Sequence, residues 1–147
     1  MKTVISLGSN LGDRAENLNG AISKLKEFIS NAKVSKFYET DPIGGPEQSK
    51  YLNAVLVGDS HLEPHEILKK CLEIEKIFGR TREIHWGPRT LDLDLISVDD
   101  LVINSEALVL PHPLAHQRRF VLEPWYEVDP DGELVGKGRV IDLLHDK

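Results

Sequence analysis

Two aspartates separated by one leucine are the residues of this chain whose types and spacing point most directly to chemistry. Leu91, Leu93 and Leu95 alternate with Asp92 and Asp94, and such alternation is typical of a half-buried β-strand. A period of two puts both carboxylates on one face of the strand. Paired carboxylates suit Mg²⁺, which leaves its other positions to water and substrate phosphates. We therefore predict a magnesium and phosphate site on this strand.

The residues just before the strand favour the same interpretation. Trp86 offers a flat stacking surface, and Arg89 offers a planar fork of donors that matches phosphate oxygens. Arg80 and Arg82 precede them in a segment that starts after a glycine. A bare pair of aspartates would be better explained as the solvated face of an edge strand. Three arginines and a tryptophan leading into that pair instead favour a site for polyphosphate.

Two further groups are candidates on weaker grounds. His112 stands between two prolines, and it is equally consistent with a proton donor to phosphate and with a turn residue. Arg118 and Arg119 form a small basic cluster directly before Phe120. The remaining histidines lack the spacing of a zinc site.

Composition limits the class of protein. The 147 residues carry a net charge of −6, which argues against general affinity for nucleic acid. We expect one domain, residues 1–147, without a membrane span or a signal peptide, because the chain has no apolar run near ~18 residues and no basic leader. The single cysteine, Cys71, excludes an intramolecular disulfide and suggests a cytoplasmic protein. The sequence gives no sign of a protein partner.

Hydrophobic periodicity predicts alternating strands and helices in the first two thirds of the chain. Strands are expected at 3–7, 34–39 and 51–57, besides the strand that carries the aspartates. Apolar residues from Leu18 to Ile29 repeat at helical spacing, with Asp13 as the N-cap. A second helix starts at Pro64, buries Cys71 in its apolar stripe and ends at Gly79. Residues 40–50 and 80–90 are expected to be loops.

The last third is harder to assign because prolines interrupt it. Asp99 and Asp100 are expected to turn the aspartate strand back into a strand at 101–103. Four prolines between residues 111 and 130 predict short broken pieces, and residues 140–144 a final turn of helix. This order of elements favours an α/β or α+β sandwich with helices on one face of a sheet.

Several longer segments are more specific than these patterns, and they are ISLGSNLGD, FYETDPIG followed by YLNAVL, IEKIFGRTR, WGPRTLDLDL and LPHPLAHQRRFVLEP. Through these segments the chain resembles a known family, the 6-hydroxymethyl-7,8-dihydropterin pyrophosphokinases of folate biosynthesis. They run in the order expected for the family, and WGPRTLDLD is close to diagnostic. The resemblance implies an α+β, ferredoxin-like sandwich, mostly antiparallel, with helices packed on the faces of the sheet. It also implies transfer of the β,γ-diphosphate of MgATP to the hydroxymethyl group of the dihydropterin, with release of AMP.

The resemblance assigns roles to individual residues. Asp92 and Asp94 would bind two magnesium ions, and Arg80 and Arg89 would be catalytic arginines that close over the triphosphate. The pterin pocket would be lined by Thr40, Asp41, Ile43, Tyr51, Asn53, Trp86 and Phe120. The ATP side would comprise Glu75, Arg82, Arg89, Leu95, His112 and Arg118. Aromatic faces suit a flat heterocycle, an amide can both donate and accept at its edge, and phosphoryl transfer requires neutralisation of charge more than a nucleophilic residue.

Two other classes of protein compete with this interpretation. A different metal-dependent nucleotidyltransferase would also use paired aspartates, but it would not need the proposed pterin pocket. A ferredoxin-like RNA-binding module would need exposed aromatics and a basic face, whereas this chain is acidic. Binding of a pterin would separate both alternatives from the pyrophosphokinase.

Overall fold

The computed structural model describes residues 1–41, 50–79 and 90–146. The strands are β1 (Lys2–Ser9), β2 (Ser30–Val34), β3 (Tyr38–Thr40), β4 (Tyr51–Asp59), β5 (Asp92–Val98), β6 (Ile103–Asn104), β7 (Val109–Leu110), β8 (Glu133–Leu134) and β9 (Gly138–Arg139). The helices are α1 (Arg14–Leu25), α2 (Pro64–Ile77), α3 (Arg119–Val128) and α4 (Val140–His145), with a short 3-10 helix at Ala115–Gln117. The loops predicted at 40–50 and 80–90 lie largely outside the described residues.

The main sheet has the strand order β2-β4-β1-β5, and β3 pairs with the first residues of β4. Every pairing in this sheet is antiparallel. Because β4 lies between β1 and β2, α1 must carry the chain across a neighbouring strand, and α2 does the same between β4 and β5. This split β-α-β arrangement is that of a ferredoxin-like fold. The predicted α+β, ferredoxin-like sandwich is therefore confirmed.

The sheet is covered on both faces. Ile5 and Leu7 of β1 pack with α1 and α2 in one core, whereas Val4 packs with α3 and α4 in the other. Element order had predicted helices on one face only, and that prediction is wrong. The physical reason is that β1 is buried almost throughout, so its two apolar faces each need a covering layer. The family resemblance, which implied helices on both faces, gave the correct arrangement.

Local signals at the ends of the helices are confirmed. The Asp13 side chain accepts a hydrogen bond from the backbone N–H of Glu16 at 3.1 Å and caps α1. Gly79 adopts a φ of 74° just after α2, a conformation that glycine tolerates best.

Helix α1 ends at Leu25 rather than at Ile29, although Ile29 still packs into the first core. Cys71 is buried there as predicted, and burial raises the pKa of its thiol to about 12.

Three other assignments need correction. The strand predicted at 34–39 is divided into β2, which ends at Val34, and β3, which starts at Tyr38. The strand predicted at 101–103 does not return along β5, because β6 pairs with β7 instead. Helix α3 continues through Pro124, where the proline pattern had predicted a break. Pro124 removes one backbone hydrogen bond, but the same helix buries Val121, Leu122 and Trp125, which offsets that loss.

Within the described ranges, no helix is long and apolar enough to cross a membrane.

Candidate active site

One row of residues across three strands defines the centre of the site. Asp92 of β5 pairs with Gly8 of β1, and Gly8 pairs with Asn53 of β4. Residues directly opposite each other on antiparallel strands lie on the same face, so Asp92 and Asn53 share a face with the glycine between them. Two strand spacings separate their backbones by roughly 10 Å. Since Gly8 contributes no side chain, the side chains of Asn53 and Tyr51 can lie close over its backbone.

Asp94 follows Asp92 by two residues, so it lies on the same face of β5, where it pairs with Ser6. The Arg118 Nη1 atom lies 4.0 Å from Asp94 Oδ2, and the Arg118 guanidinium lies 5.4 Å from the centre of the Phe120 ring. Arg118 immediately precedes α3, so this helix brings a cation and an aromatic ring to the aspartate face. The structure therefore gathers four of the predicted site residues, Asp92, Asp94, Arg118 and Phe120.

His112 belongs to the same group. Its backbone N–H donates to the carbonyl of Ile96 at 2.8 Å, and its ring Nδ1 accepts from the backbone N–H of Leu114 at 3.2 Å. Burial and, to a smaller extent, the charge of Arg118 lower the pKa of His112 to about 4, against the opposing effect of Asp92. The ring is therefore neutral at pH 7, with Nδ1 occupied and the proton on Nε2. In the free protein it is a hydrogen-bond donor through Nε2 rather than an acid.

The residues predicted to bind the pterin gather on the adjoining part of this face. Thr40 of β3 pairs with Tyr51 of β4, and Asn53 follows two residues later. The Asn53 amide Nδ2 donates to the Thr40 hydroxyl. Asp41 comes next along the chain, and its exposed carboxylate lies 3.9 Å from Lys50 Nζ. Hydroxyl, phenol and amide groups thus lie beside Gly8 on the aspartate face.

The sequence did not single out Gly8 as a site residue, and the strand predicted at 3–7 ended before it, whereas β1 extends through Gly8 to Ser9. A Cβ atom at this position would lie 3.0 Å from Asn53 Oδ1 and 3.3 Å from Tyr51 Cδ1. Glycine is therefore needed for the close approach of β1 to these two side chains. The available signal was a glycine inside an otherwise apolar strand, which often marks close backbone approach.

Asn17 is a second residue that the sequence did not single out. Its amide Nδ2 lies 3.1 Å from the carbonyl of Leu11, 3.2 Å from that of Thr90 and 3.3 Å from the Ser9 hydroxyl. These contacts connect α1 with the turn after β1 and with the chain just before β5. Helical periodicity placed Asn17 at the start of α1 but could not indicate these long-range partners.

Two predicted ATP contacts lie on the helix side of the sheet. Leu95 is buried in the first core with α1 and α2, on the face opposite Asp94. Glu75 of α2 is also buried, and its Oε2 accepts from the backbone N–H of Leu93 at 2.8 Å. The structure therefore does not bring these side chains to the aspartate face, and their assignment as nucleotide contacts stays a prediction.

The remaining candidates, Ile43, Arg80, Arg82, Trp86 and Arg89, lie outside the described residues. Among residues 1–41, 50–79 and 90–146, no group of three or more His, Cys, Asp or Glu side chains could hold a metal ion. Two carboxylates on one strand face are nonetheless the donor set expected for Mg²⁺ that completes its coordination with water and phosphate oxygens. Asp92 and Asp94 fit that mode of binding.

Comparison with known proteins identifies the family. A model of the 7,8-dihydro-6-hydroxymethylpterin-pyrophosphokinase (HPPK) family matches residues 4–130. The chain belongs to this family. An HPPK relative from Mycobacterium tuberculosis, named 2-amino-4-hydroxy-6-hydroxymethyldihydropteridine pyrophosphokinase, is 44% identical over 93% of this chain and 77% of its own length. A Bacillus subtilis protein of the same name is 43% identical over 84% of this chain and 75% of its own.

Some HPPK sequences are parts of longer proteins. The bifunctional protein FolKE of Lactococcus lactis is 46% identical over 88% of this chain, which matches only 38% of that protein. Among solved structures, Plasmodium falciparum HPPK-DHPS crystallised with pteroate matches with a TM-score of 0.75 at 14% identity, over 99% of this chain. This chain spans 42% of that solved chain. At such low identity the likeness shows the fold alone.

Proposed function

We propose that this protein transfers the β,γ-diphosphate of MgATP to the hydroxymethyl group of 6-hydroxymethyl-7,8-dihydropterin and releases AMP. In this reaction the hydroxymethyl oxygen forms a bond to the β-phosphorus of ATP. The bond from that phosphorus to the oxygen bridging the α- and β-phosphates breaks, AMP leaves with that oxygen, and the hydroxyl proton is lost. The product would serve folate biosynthesis, and we propose that residues 1–147 act as one domain.

The observation that carries this proposal is the row formed by Asp92, Gly8 and Asn53. It sets a carboxylate suited to a metal and an amide suited to a heterocycle edge on one face, with their backbones roughly 10 Å apart. The family match supports the same pair of substrates. A pterin bound beside Asn53 would direct its hydroxymethyl group across Gly8 toward phosphates bound near the aspartates.

We assign the pterin side of the pocket to Thr40, Asp41, Tyr51, Asn53 and Phe120, together with Ile43 and Trp86. The Asn53 amide can donate to and accept from the pyrimidine edge of the pterin, and Thr40 fixes its orientation through their hydrogen bond. Phe120 supplies an aromatic face beside Arg118. In our proposal Trp86 supplies the opposite face, which suits a flat ring.

On the phosphate side, we propose that Asp92 and Asp94 hold two Mg²⁺ ions. Bound there, the metal would neutralise charge on the phosphate oxygens. Arg118 lies 4.0 Å from Asp94, and His112 offers a neutral Nε2–H donor, so both can contact the triphosphate. We further assign Glu75, Arg82 and Leu95 to the nucleotide, and Arg80 and Arg89 to charge stabilisation during transfer. A cytoplasmic location, suggested by the single cysteine, stays a prediction.

The decisive experiment measures AMP formed from ATP by folded protein with Mg²⁺ and the hydroxymethyl dihydropterin. We expect AMP in a 1:1 ratio with diphosphorylated pterin. We expect none with an otherwise identical pterin that carries a methyl group in place of the hydroxymethyl group. Formation of ADP, or release of pyrophosphate without any pterin, would contradict the proposal. The second outcome would point to a nucleotidyltransferase.

A further inference from the structure

Arg14 bridges two segments that the proposed pterin pocket depends on. Its Nη1 donates to the backbone carbonyl of Lys50 at 2.9 Å, and its Nη2 forms an ion pair with Glu39 Oε2 at 3.0 Å. Glu39 immediately precedes Thr40, and Lys50 immediately precedes Tyr51. Thr40 and Tyr51 pair with each other. Arg14 therefore contacts the residue that precedes each member of this pair.

The bridge lies behind the pocket. Glu39 pairs with Leu52, and the neighbouring pair is Thr40 with Tyr51. Since alternate residues of a strand point to opposite faces, Arg14 reaches the α1 side of the sheet, while Thr40 and Tyr51 lie on the face that carries Asn53 and Asp92. Arg14 therefore contacts Glu39 and Lys50 on the side of the sheet away from the pocket, and we do not expect it to contact the ligand.

The position of Arg14 in its own helix shows that α1 does not require it. Arg14 is the first residue of α1, and a cation at a helix N-terminus is opposed by the helix dipole. The Asp13 cap already satisfies this end of the helix. The planar guanidinium can instead donate in two directions at once, which matches its two acceptors in different segments.

β3 is the shortest strand of the main sheet. It has three residues, and it pairs with β4 over those three positions. So short a strand has few backbone hydrogen bonds to fix its position. The Asn53–Thr40 hydrogen bond acts on the pocket face, and Arg14 acts on the opposite face.

From these contacts we propose that Arg14 is a positioning residue for pterin specificity: by joining Glu39 to Lys50, it fixes Thr40 and Tyr51 in the geometry that binds the heterocycle. The proposal rests on the function proposed above. It predicts that loss of the bridge weakens pterin binding selectively and leaves ATP binding, which is assigned to the β5 and α3 side, nearly unchanged.

The test compares Arg14→Ala, Arg14→Lys and Glu39→Ala with a control on the same helix, Lys24→Ala. Lys24 forms an exposed ion pair with Glu27 at 3.8 Å within one turn. We expect Arg14→Ala and Glu39→Ala each to raise the pterin KM about three- to tenfold, the scale of losing one hydrogen-bonded contact. The KM for ATP and kcat should stay within about twofold of the parent values, a change below that scale. Lysine can reach one acceptor but not both, so it should restore part of the loss.

A double-mutant cycle and hydrogen exchange complete the test. Combining Arg14→Ala with Glu39→Ala should raise the pterin KM less than the product of the single effects, because both remove the same bridge. Amides of residues 38–40 and 51–53 should exchange faster in Arg14→Ala than in the parent and in Lys24→Ala. This measurement needs no substrate, so it tests the bridge even if the parent protein forms no AMP, an outcome that would overturn the proposed function alone.

Two results would overturn the inference. An unchanged pterin KM together with unchanged exchange in residues 38–40 would show that Arg14 is an ordinary surface residue. A parallel loss for both substrates, accompanied by a lower Tm, would show a general effect on folding instead of positioning of the pterin pocket.

Discussion

Glu75 of α2 accepts a hydrogen bond from the backbone N–H of Leu93 at 2.8 Å. Leu93 is the residue between Asp92 and Asp94, and β5 lies at one end of the strand order β2-β4-β1-β5. The Glu75 side chain therefore satisfies a buried backbone donor at the edge of the sheet. This contact fixes the segment that presents both carboxylates.

Replacement of Glu75 tests this relationship. Glu75→Ala should lower the free energy of unfolding by about 1–3 kcal/mol, because Leu93 N–H would be left buried without its acceptor. Glu75→Gln keeps an acceptor oxygen and should cost less. Urea unfolding measures both effects, with the exposed Glu73→Ala on the same helix as the control. Equal stability of all three variants would show that the hydrogen bond contributes little.

Removing either carboxylate should strongly lower activity without unfolding the protein. Asp92→Asn and Asp94→Asn should each lower kcat on the order of 100-fold or more, because metal-assisted neutralisation of the phosphates is lost. Tm without nucleotide should change little or rise, since two neighbouring carboxylates repel each other when no metal is bound. In Asp94→Asn, loss of the weak contact with Arg118 should offset part of any rise in Tm. The exposed Asp100→Asn is the control, and a large fall in Tm with activity retained would make the aspartates structural.

His112 can be tested with two isosteric replacements. Asparagine keeps an acceptor at the Nδ1 position for the Leu114 N–H, whereas glutamine keeps a donor near the Nε2 position. If Nε2–H binds phosphate, His112→Asn should lower kcat/KM for ATP roughly 10- to 100-fold, the range for a hydrogen bond to a charged group. His112→Gln should retain more activity and lose more stability. The reverse order would identify His112 as a turn residue only.

The same residue predicts a dependence of stability on pH. Because the pKa of His112 is lowered in the folded protein to about 4, the unfolded chain binds a proton more readily. The stabilising contribution of the neutral ring is present above the ordinary histidine pKa of about 6.5 and is lost as the pH falls toward 4. Denaturant unfolding between pH 7 and 4 should therefore show a smaller loss of stability for His112→Asn than for the parent protein. Equal slopes would contradict the shift.

Gly8→Ala should impair the pterin side selectively. The added methyl group would lie 3.0 Å from Asn53 Oδ1 and 3.3 Å from Tyr51 Cδ1, so both side chains would have to move. We expect the pterin KM to rise several-fold and the KM for ATP to change little. Gly136→Ala is the control: its φ of 76° strains the new residue without a nearby clash, so Tm should fall with the pterin KM unchanged.

Arg80 and Arg89 are predicted to act mainly as charge develops on the phosphates. Replacing either with alanine should then lower kcat by more than it weakens binding of ATP. Lysine should rescue poorly because it lacks the planar fork. Steady-state kinetics combined with direct measurement of ATP binding separates the two effects. A rise in the KM for ATP alone would make these arginines anchors for the nucleotide.

The amino-acid sequence by itself determined the features that depend on near neighbours. Alternation from Leu91 to Leu95 put Asp92 and Asp94 on one strand face, and Asp13 marked the start of α1. Helical spacing likewise assigned Cys71 to the core. These inferences succeed because side-chain direction and helix capping depend on residues a few positions apart.

Only the tertiary structure decided which distant residues meet. Asp92, Gly8 and Asn53 form one row because β1 pairs with both β4 and β5, a register that no local pattern specifies. Helix α3 passes through Pro124 because it buries Trp125 against the second face of the sheet. His112 is neutral because burial and the charge of Arg118 act on it together. Strand register, burial and electrostatics arise from chain segments that are far apart in sequence, and their free energies override local preference wherever the two conflict.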